Sequence, residues 1–67
     1  MVEELITARG SEDIVAMDPQ KIIITTTSLV FDDSVIGIDA DKSANELSKE
    51  LQDALHERKK LHIRIKA

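Results

Sequence analysis

Apolar and polar residues repeat with a helical period in one segment, and its start is well marked. Residues 43–46 read Ser-Ala-Asn-Glu, the pattern of a capping box in which serine and glutamate satisfy amides of the first turn. Acidic residues lie near the start of the segment and basic residues near its end, as the helix dipole favours. The pattern predicts one amphipathic helix, and its apolar stripe is Ala44, Leu47, Leu51, Ala54 and Leu55.

Two segments with the pattern of a strand flank this helix. Residues 61–66 alternate strictly, with Leu61, Ile63 and Ile65 on one face. Residues 35–38 read Val-Ile-Gly-Ile, a buried strand in which glycine marks a bulge or, less commonly, a close approach by another backbone or a ligand. A strand, a helix and a second strand form a right-handed crossover when the strands are parallel, so we expect these two strands to be neighbours or near neighbours, with the helix across one face.

The first third of the chain predicts further strands. Residues 21–27 are rich in β-branched residues and favour a strand. Residues 2–8 and 14–17, separated by a polar cluster that contains a glycine, predict a hairpin. We therefore expect one small α+β domain over residues 1–67. Its predicted architecture is two-layer, a four- or five-stranded mixed sheet with one helix, in the order β-β-β-β-α-β.

Composition indicates a folded chain with a small core. The 67 residues suffice for one domain, and 42% of them are hydrophobic, which is too many for a disordered acidic segment. A core of this size barely offsets the entropy of ordering the chain, so we expect a partner surface to supply further burial. A two-layer sheet leaves its second face uncovered, and either another copy or a missing segment is expected to cover it.

Several functional classes are excluded by what the sequence lacks. No apolar run is long enough for a membrane span, and the first residues lack the pattern of an export signal, so we expect a cytoplasmic protein. The absence of cysteine excludes disulfides and thiolate metal sites. Phe31 is the one aromatic residue, which excludes aromatic platforms for bases. No cofactor is predicted.

Charge is distributed unevenly along the chain. Residues 1–57 carry thirteen acidic and four basic side chains, a net charge of −9, whereas residues 58–67 carry five basic side chains and no acidic one. Neutralisation of the basic end by acids of the same chain or of a neighbouring copy is the favoured interpretation. The alternative is a nucleic-acid accessory, although the overall charge of −4 opposes it. Its contacts would be Arg58, Lys59, Lys60, Arg64 and Lys66.

An acidic segment offers a second candidate site. Asp39, Asp41, Ser43 and Glu50 stand at positions 1, 3, 5 and 12 of a calcium-loop pattern. Ala44 occupies the position that requires glycine, and the preceding residues predict a strand where an entering helix is needed. The alternative interpretation is a strand-to-helix loop with its cap. Weak divalent-metal binding here is therefore a further alternative function.

No pattern in the chain indicates catalysis. The two histidines, His56 and His62, lie at the end of the predicted helix and on the polar face of the last strand. No nucleophile elbow accompanies them. The residues therefore favour a non-enzymatic module that associates with itself or with another protein, through an uncovered sheet face or an edge strand.

Two stretches, residues 8–10 and residues 35–43, resemble signatures of an uncharacterised archaeal family of conserved hypothetical proteins. The resemblance extends over most of the chain and implies that it corresponds to the amino-terminal half of such proteins, with an unassigned activity. Family members carry histidines where this chain has Ser11 and Asp18. Any chemistry of those histidines therefore does not carry over to this chain.

Overall fold

The computed structural model describes residues 2–66, and regular structure is confined to four short elements. They are the strands β1 (Ile23–Ile24) and β2 (Val35–Gly37), a 3-10 turn (Ala44–Glu46) and the helix α1 (Lys49–Leu55). The strands β1 and β2 pair in parallel and form a two-stranded sheet. Most of the remaining described residues are irregular.

The predicted four- or five-stranded mixed sheet, with its β-β-β-β-α-β order, is wrong. The sheet has two strands, and the segment at residues 2–8 leads to a single antiparallel bridge between Arg9 and Ile38. In the predicted returning strand, Ala16 has a φ of 55°, a left-handed conformation that interrupts an extended chain. Residues 61–66 pair with no other strand in the described part of the chain. Thr7 and Met17 make isolated backbone bonds to Asp41 and Asp33, whereas residues 61–66 make none in the described part of the chain.

The parallel pairing of β1 with β2 contains an irregularity that explains Gly37. The amide of Ile23 donates to the carbonyl of Ser34 over 2.9 Å, and the amide of Thr25 donates to the carbonyl of Gly37 over 3.0 Å. Three residues of β2 thus match two of β1, as in a bulge. A Cβ at Gly37 would lie 3.2 Å from the Cβ of Ala8. Glycine therefore serves both a bulge and a close approach of the amino-terminal segment.

The core lies on β2 and the residues after it. Val35 is fully buried, Ile38 and Ala40 are nearly so, and the Ser34 side chain is buried beside them. The chain exposes 6016 Å², whereas a folded monomer of this mass exposes about 4,200 Å². The radius of gyration is 12.8 Å, against about 11 Å for a compact chain of this length. The protein is thus more open than a self-sufficient domain.

The predicted helix is present but shorter than expected, and the chain turns before it begins. The amide of Ser43 donates to Glu46 Oε1 over 3.1 Å, so the glutamate part of the capping box forms. Leu47 is extended, with a ψ of 151°, which ends the 3-10 turn. Ser48 Oγ then accepts the amide of Leu51 over 3.2 Å and caps α1. One predicted helix is therefore two elements, each with its own serine cap.

Candidate interaction surface

Three carboxylates form an acidic triad, Asp18, Asp32 and Asp33, at the start of both strands. Ligand atoms of the three lie within 4.8 Å of one another. Asp18 Oδ1 accepts the amide of Lys21 over 2.9 Å, and Asp32 Oδ2 lies 3.3 Å from Lys21 Nζ. Parallel strands begin at the same edge of a sheet, so the turns that precede β1 and β2 bring their acids together.

Hydrogen bonds shift the pKa values of the adjacent Asp32 and Asp33 in opposite directions. The amide of Ser34 donates to Asp32 Oδ1 over 2.9 Å, and this bond, with the other donors around Asp32, lowers the pKa of its carboxyl well below the usual range. A hydrogen bond to Asp32 raises the pKa of Asp33, and the charges of Asp18 and Asp32 raise it further. The triad is thus a concentration of negative charge that Lys21 offsets only in part.

Glu4 joins the amino-terminal segment to the turn before α1. Its Oε2 lies 2.8 Å from Lys42 Nζ, and its Oε1 accepts the amide of Ser48 over 2.7 Å. The Lys42 ammonium also donates to the carbonyl of Leu5 over 2.9 Å. The bond from Lys42, followed by that from Ser48, lowers the pKa of Glu4 from its ordinary value of 4.5 to about 2. This contact holds together segments that are 38 residues apart.

We predict that the charge of Glu4 stabilises the fold and that acid removes this contribution. Because its folded-state pKa is depressed, the contribution is present above pH 4.5 and is lost as the pH falls toward 2. In an NMR titration, Lys42→Met should raise the pKa of Glu4 by roughly one unit. Lys21→Met is the matched control and should leave that pKa unchanged. A Glu4 carboxyl that titrates alike in the wild type and in Lys42→Met contradicts the prediction.

The basic residues proposed from the sequence lie in one exposed segment, residues 58–66, which we name the basic segment. Arg58, Lys59, Lys60, Arg64 and Lys66 are all exposed. Lys59 Nζ lies 2.8 Å from Glu57 Oε2, which is a local ion pair. In residues 2–66, no backbone hydrogen bond involves a residue after Glu57. The basic segment therefore exposes its charges and its alternating apolar residues and makes no backbone hydrogen bond to the rest of the described chain.

The acidic loop proposed as a metal site has its side chains engaged separately. Asp39 accepts the hydroxyl of Ser28, and Asp41 Oδ1 accepts the amide of Thr7 over 2.9 Å. Ser43 Oγ donates to a Glu46 carboxylate oxygen over 2.9 Å, and Glu50 is exposed in the first turn of α1. Among residues 2–66, the group of acids with mutually close ligand atoms is the acidic triad, which includes none of these four residues. Metal binding at the loop stays a prediction from the sequence.

Large apolar side chains cover much of the surface. Twelve of them in the described part of the chain are exposed by more than 40%, whereas the buried hydrophobic residues there are three. Where exposed apolar side chains form a contiguous patch, the patch marks an interaction surface or an aggregation-prone one. The twelve exposed residues are Leu5, Ile6, Val15, Met17, Ile22, Ile24, Leu29, Phe31, Leu55, Leu61, Ile63 and Ile65.

Sequence reasoning missed the acidic triad, although a signal for it exists. Asp32 and Asp33 precede one strand, and Asp18 precedes the turn into the other. These positions become neighbours only if the two strands are parallel, whereas the sequence suggested β2 and residues 61–66 as the parallel pair. The basic segment, in contrast, was located by its composition alone.

A family model described as Domain of unknown function (DUF371) matches residues 1–67. This match confirms the resemblance to an uncharacterised family. Comparison with curated proteins and with solved structures gives no match. Within the described residues, no helix combines the length and the apolar character that crossing a bilayer requires.

Proposed function

We propose, for a chain that belongs to the family described as Domain of unknown function (DUF371), that its role is association with a second copy of itself. The family description carries no activity, so the proposal rests on the surface of this chain. The module is non-enzymatic in this proposal, because it offers an interface between copies in place of a reaction centre. The archaeal origin implied by the resemblance stays a prediction.

The observation that carries the proposal is an excess of accessible surface, to which twelve exposed large apolar side chains contribute. The 6016 Å² of accessible surface exceeds that of a typical monomer by about 1,800 Å². A stable interface between two proteins takes about 800 Å² from each partner. The excess is therefore large enough for a stable dimer, and burying it supplies the hydrophobic stabilisation that the small core lacks.

A second copy suits this surface because the chain is electrostatically complementary to itself. Residues 1–57 have a net charge of −9, and the last ten residues have a net charge of +5. Two copies can bring the basic segment of one against the acidic remainder of the other, including its acidic triad. Such complementarity steers association and selects orientation. A partner that carries charge of one sign would be complementary either to the acidic part of the chain or to the basic segment, but not to both.

The proposal is tested by sedimentation velocity over a dilution series from roughly 1 to 500 μM, a range that brackets dissociation constants of a weak to moderate dimer. We expect a mass of at least two copies at high concentration and of one copy after dilution. The melting temperature should fall with dilution, because association stabilises the folded state by mass action. A single-copy mass at every concentration, together with cooperative unfolding, would overturn the proposal.

Nucleic-acid binding stays the alternative. It is tested by repeating the sedimentation series with added duplex DNA. The exposed basic side chains of the basic segment favour nucleic-acid binding, while the overall charge of −4 and the ion pair of Lys59 with Glu57 oppose it. Two results together support nucleic-acid binding against self-association. The protein sediments with the DNA but does not associate with itself, and the double variant Lys59→Glu and Lys60→Glu no longer sediments with the DNA.

A further inference from the structure

The edge of β1 that faces away from β2 is open in the described part of the chain. The sheet order is β1-β2, so β1 has one strand neighbour among residues 2–66. Ile22 and Ile24 are two residues apart and therefore project from one face of this extended segment. Their side chains are 67% and 45% exposed. The segment thus presents both an unpaired strand edge and an apolar face beside it.

The basic segment has the complementary features. Leu61, Ile63 and Ile65 alternate with basic residues and are 57%, 80% and 63% exposed. None of residues 61–66 takes part in a backbone hydrogen bond with the described chain. An extended segment of this kind binds to another protein by adding a strand to an open sheet edge, where main-chain bonds give affinity and alternate side chains give specificity.

We infer that residues 61–66 of one copy add as a strand to the open edge of β1 in a second copy. Leu61, Ile63 and Ile65 then extend the apolar face formed by Ile22 and Ile24. Reciprocal exchange between two copies makes a closed two-fold dimer in which both edges are covered. This inference rests on the proposed self-association and names the segments that meet in it.

Charge at the start of the sheet is of the sign opposite to that of the basic segment. The acidic triad lies at the start of β1, where Asp18 and Asp32 both contact Lys21, the residue before Ile22. In the inferred dimer, a strand that docks on β1 brings its basic side chains to the sheet that these carboxylates precede. The charges are of opposite sign and become mutual neighbours in the dimer, which favours the exchange over an uncharged apolar contact.

The absence of cysteine allows a sharp test by disulfide trapping between different chains. One isotopically labelled chain carries Ile22→Cys or Ile24→Cys, and one unlabelled chain carries Leu61→Cys, Ile63→Cys or Ile65→Cys. Each chain has a single cysteine, so a mixed product detected by mass spectrometry is necessarily intermolecular. Residues opposite one another on a sheet face have Cβ atoms about 4.5 to 5.5 Å apart, close to the separation that a disulfide requires.

We expect at least one of these combinations to give the mixed disulfide about tenfold faster than the matched controls His62→Cys and Arg64→Cys, whose side chains face the opposite side. Equal rates at odd and even positions would overturn strand addition. A chain that carries both cysteines is a further control. If its disulfide forms within the chain and never between chains, strand addition is also overturned.

The wild-type protein, which contains no cysteine, is sedimented at the same concentration and separates the two proposals. If it associates while the disulfides show no dependence on odd or even position, self-association stands and strand exchange fails. If it remains a single copy and no mixed disulfide forms, both proposals fail.

Discussion

Val35→Asp is expected to unfold the chain. Val35 is fully buried in a core that contains only three buried hydrophobic residues in the described part of the structure. An unpaired carboxylate at this position costs several kcal/mol. A chain of this length has a total free energy of unfolding of about 3 to 10 kcal/mol, so the substitution removes most or all of it. Circular dichroism and a proton NMR spectrum should both report loss of the folded state.

Val15→Asp is the matched control for this prediction. It makes the same change at a valine that is 55% exposed, so it should preserve the folded spectrum. Both variants are compared at one protein concentration, because the stability of an associating protein depends on concentration. If Val35→Asp melts cooperatively at the wild-type temperature, the core described here is not the one that holds the protein together.

Ile63→Asp is expected to weaken self-association by about 100-fold or more. Burial of an isoleucine side chain contributes roughly 1.5 to 3 kcal/mol, and the substitution also places a carboxylate in the interface. A 100-fold change in the dissociation constant corresponds to about 2.7 kcal/mol, which lies within this range. Sedimentation equilibrium of the wild type and the variant measures the change directly.

His62→Asp provides the control for Ile63→Asp, because both variants add one negative charge to the same exposed segment. The side chain of residue 62 faces the other side of the strand, so its replacement should change the dissociation constant by less than about threefold. Equal losses in both variants would indicate that charge alone governs association. In that case the alternating apolar face has no part in it.

The local features of the fold could be predicted from the sequence because they depend on a few neighbouring residues. The bond from Ser43 to Glu46 forms as the capping-box pattern indicates. Gly37 lies in a bulge and against Ala8, which are the two interpretations that glycine in a strand suggests. The strand around Ile23 was also expected, although it is shorter than the β-branched run.

The sheet could not be predicted because pairing depends on contacts between distant segments. Residues 61–66 alternate like a half-buried strand, yet they find no partner in the described chain. The expected helix is divided at Leu47 and Ser48, and the Ser48 amide bonds to Glu4, 44 residues away. No pattern within the segment itself contains that contact.

The sequence by itself determined the family, the bond between Ser43 and Glu46, the separation of charge and the alternating basic segment, because these are properties of composition or of hydrogen bonds between near neighbours. Tertiary structure alone decided that β1 and β2 run in parallel, that Asp18 meets Asp32 and Asp33, and that burial among residues 2–66 centres on the region around Val35. The physical reason is that backbone groups in an extended segment bond to whichever distant edge is available. Which edge a segment pairs with therefore depends on the free energy of the whole folded chain.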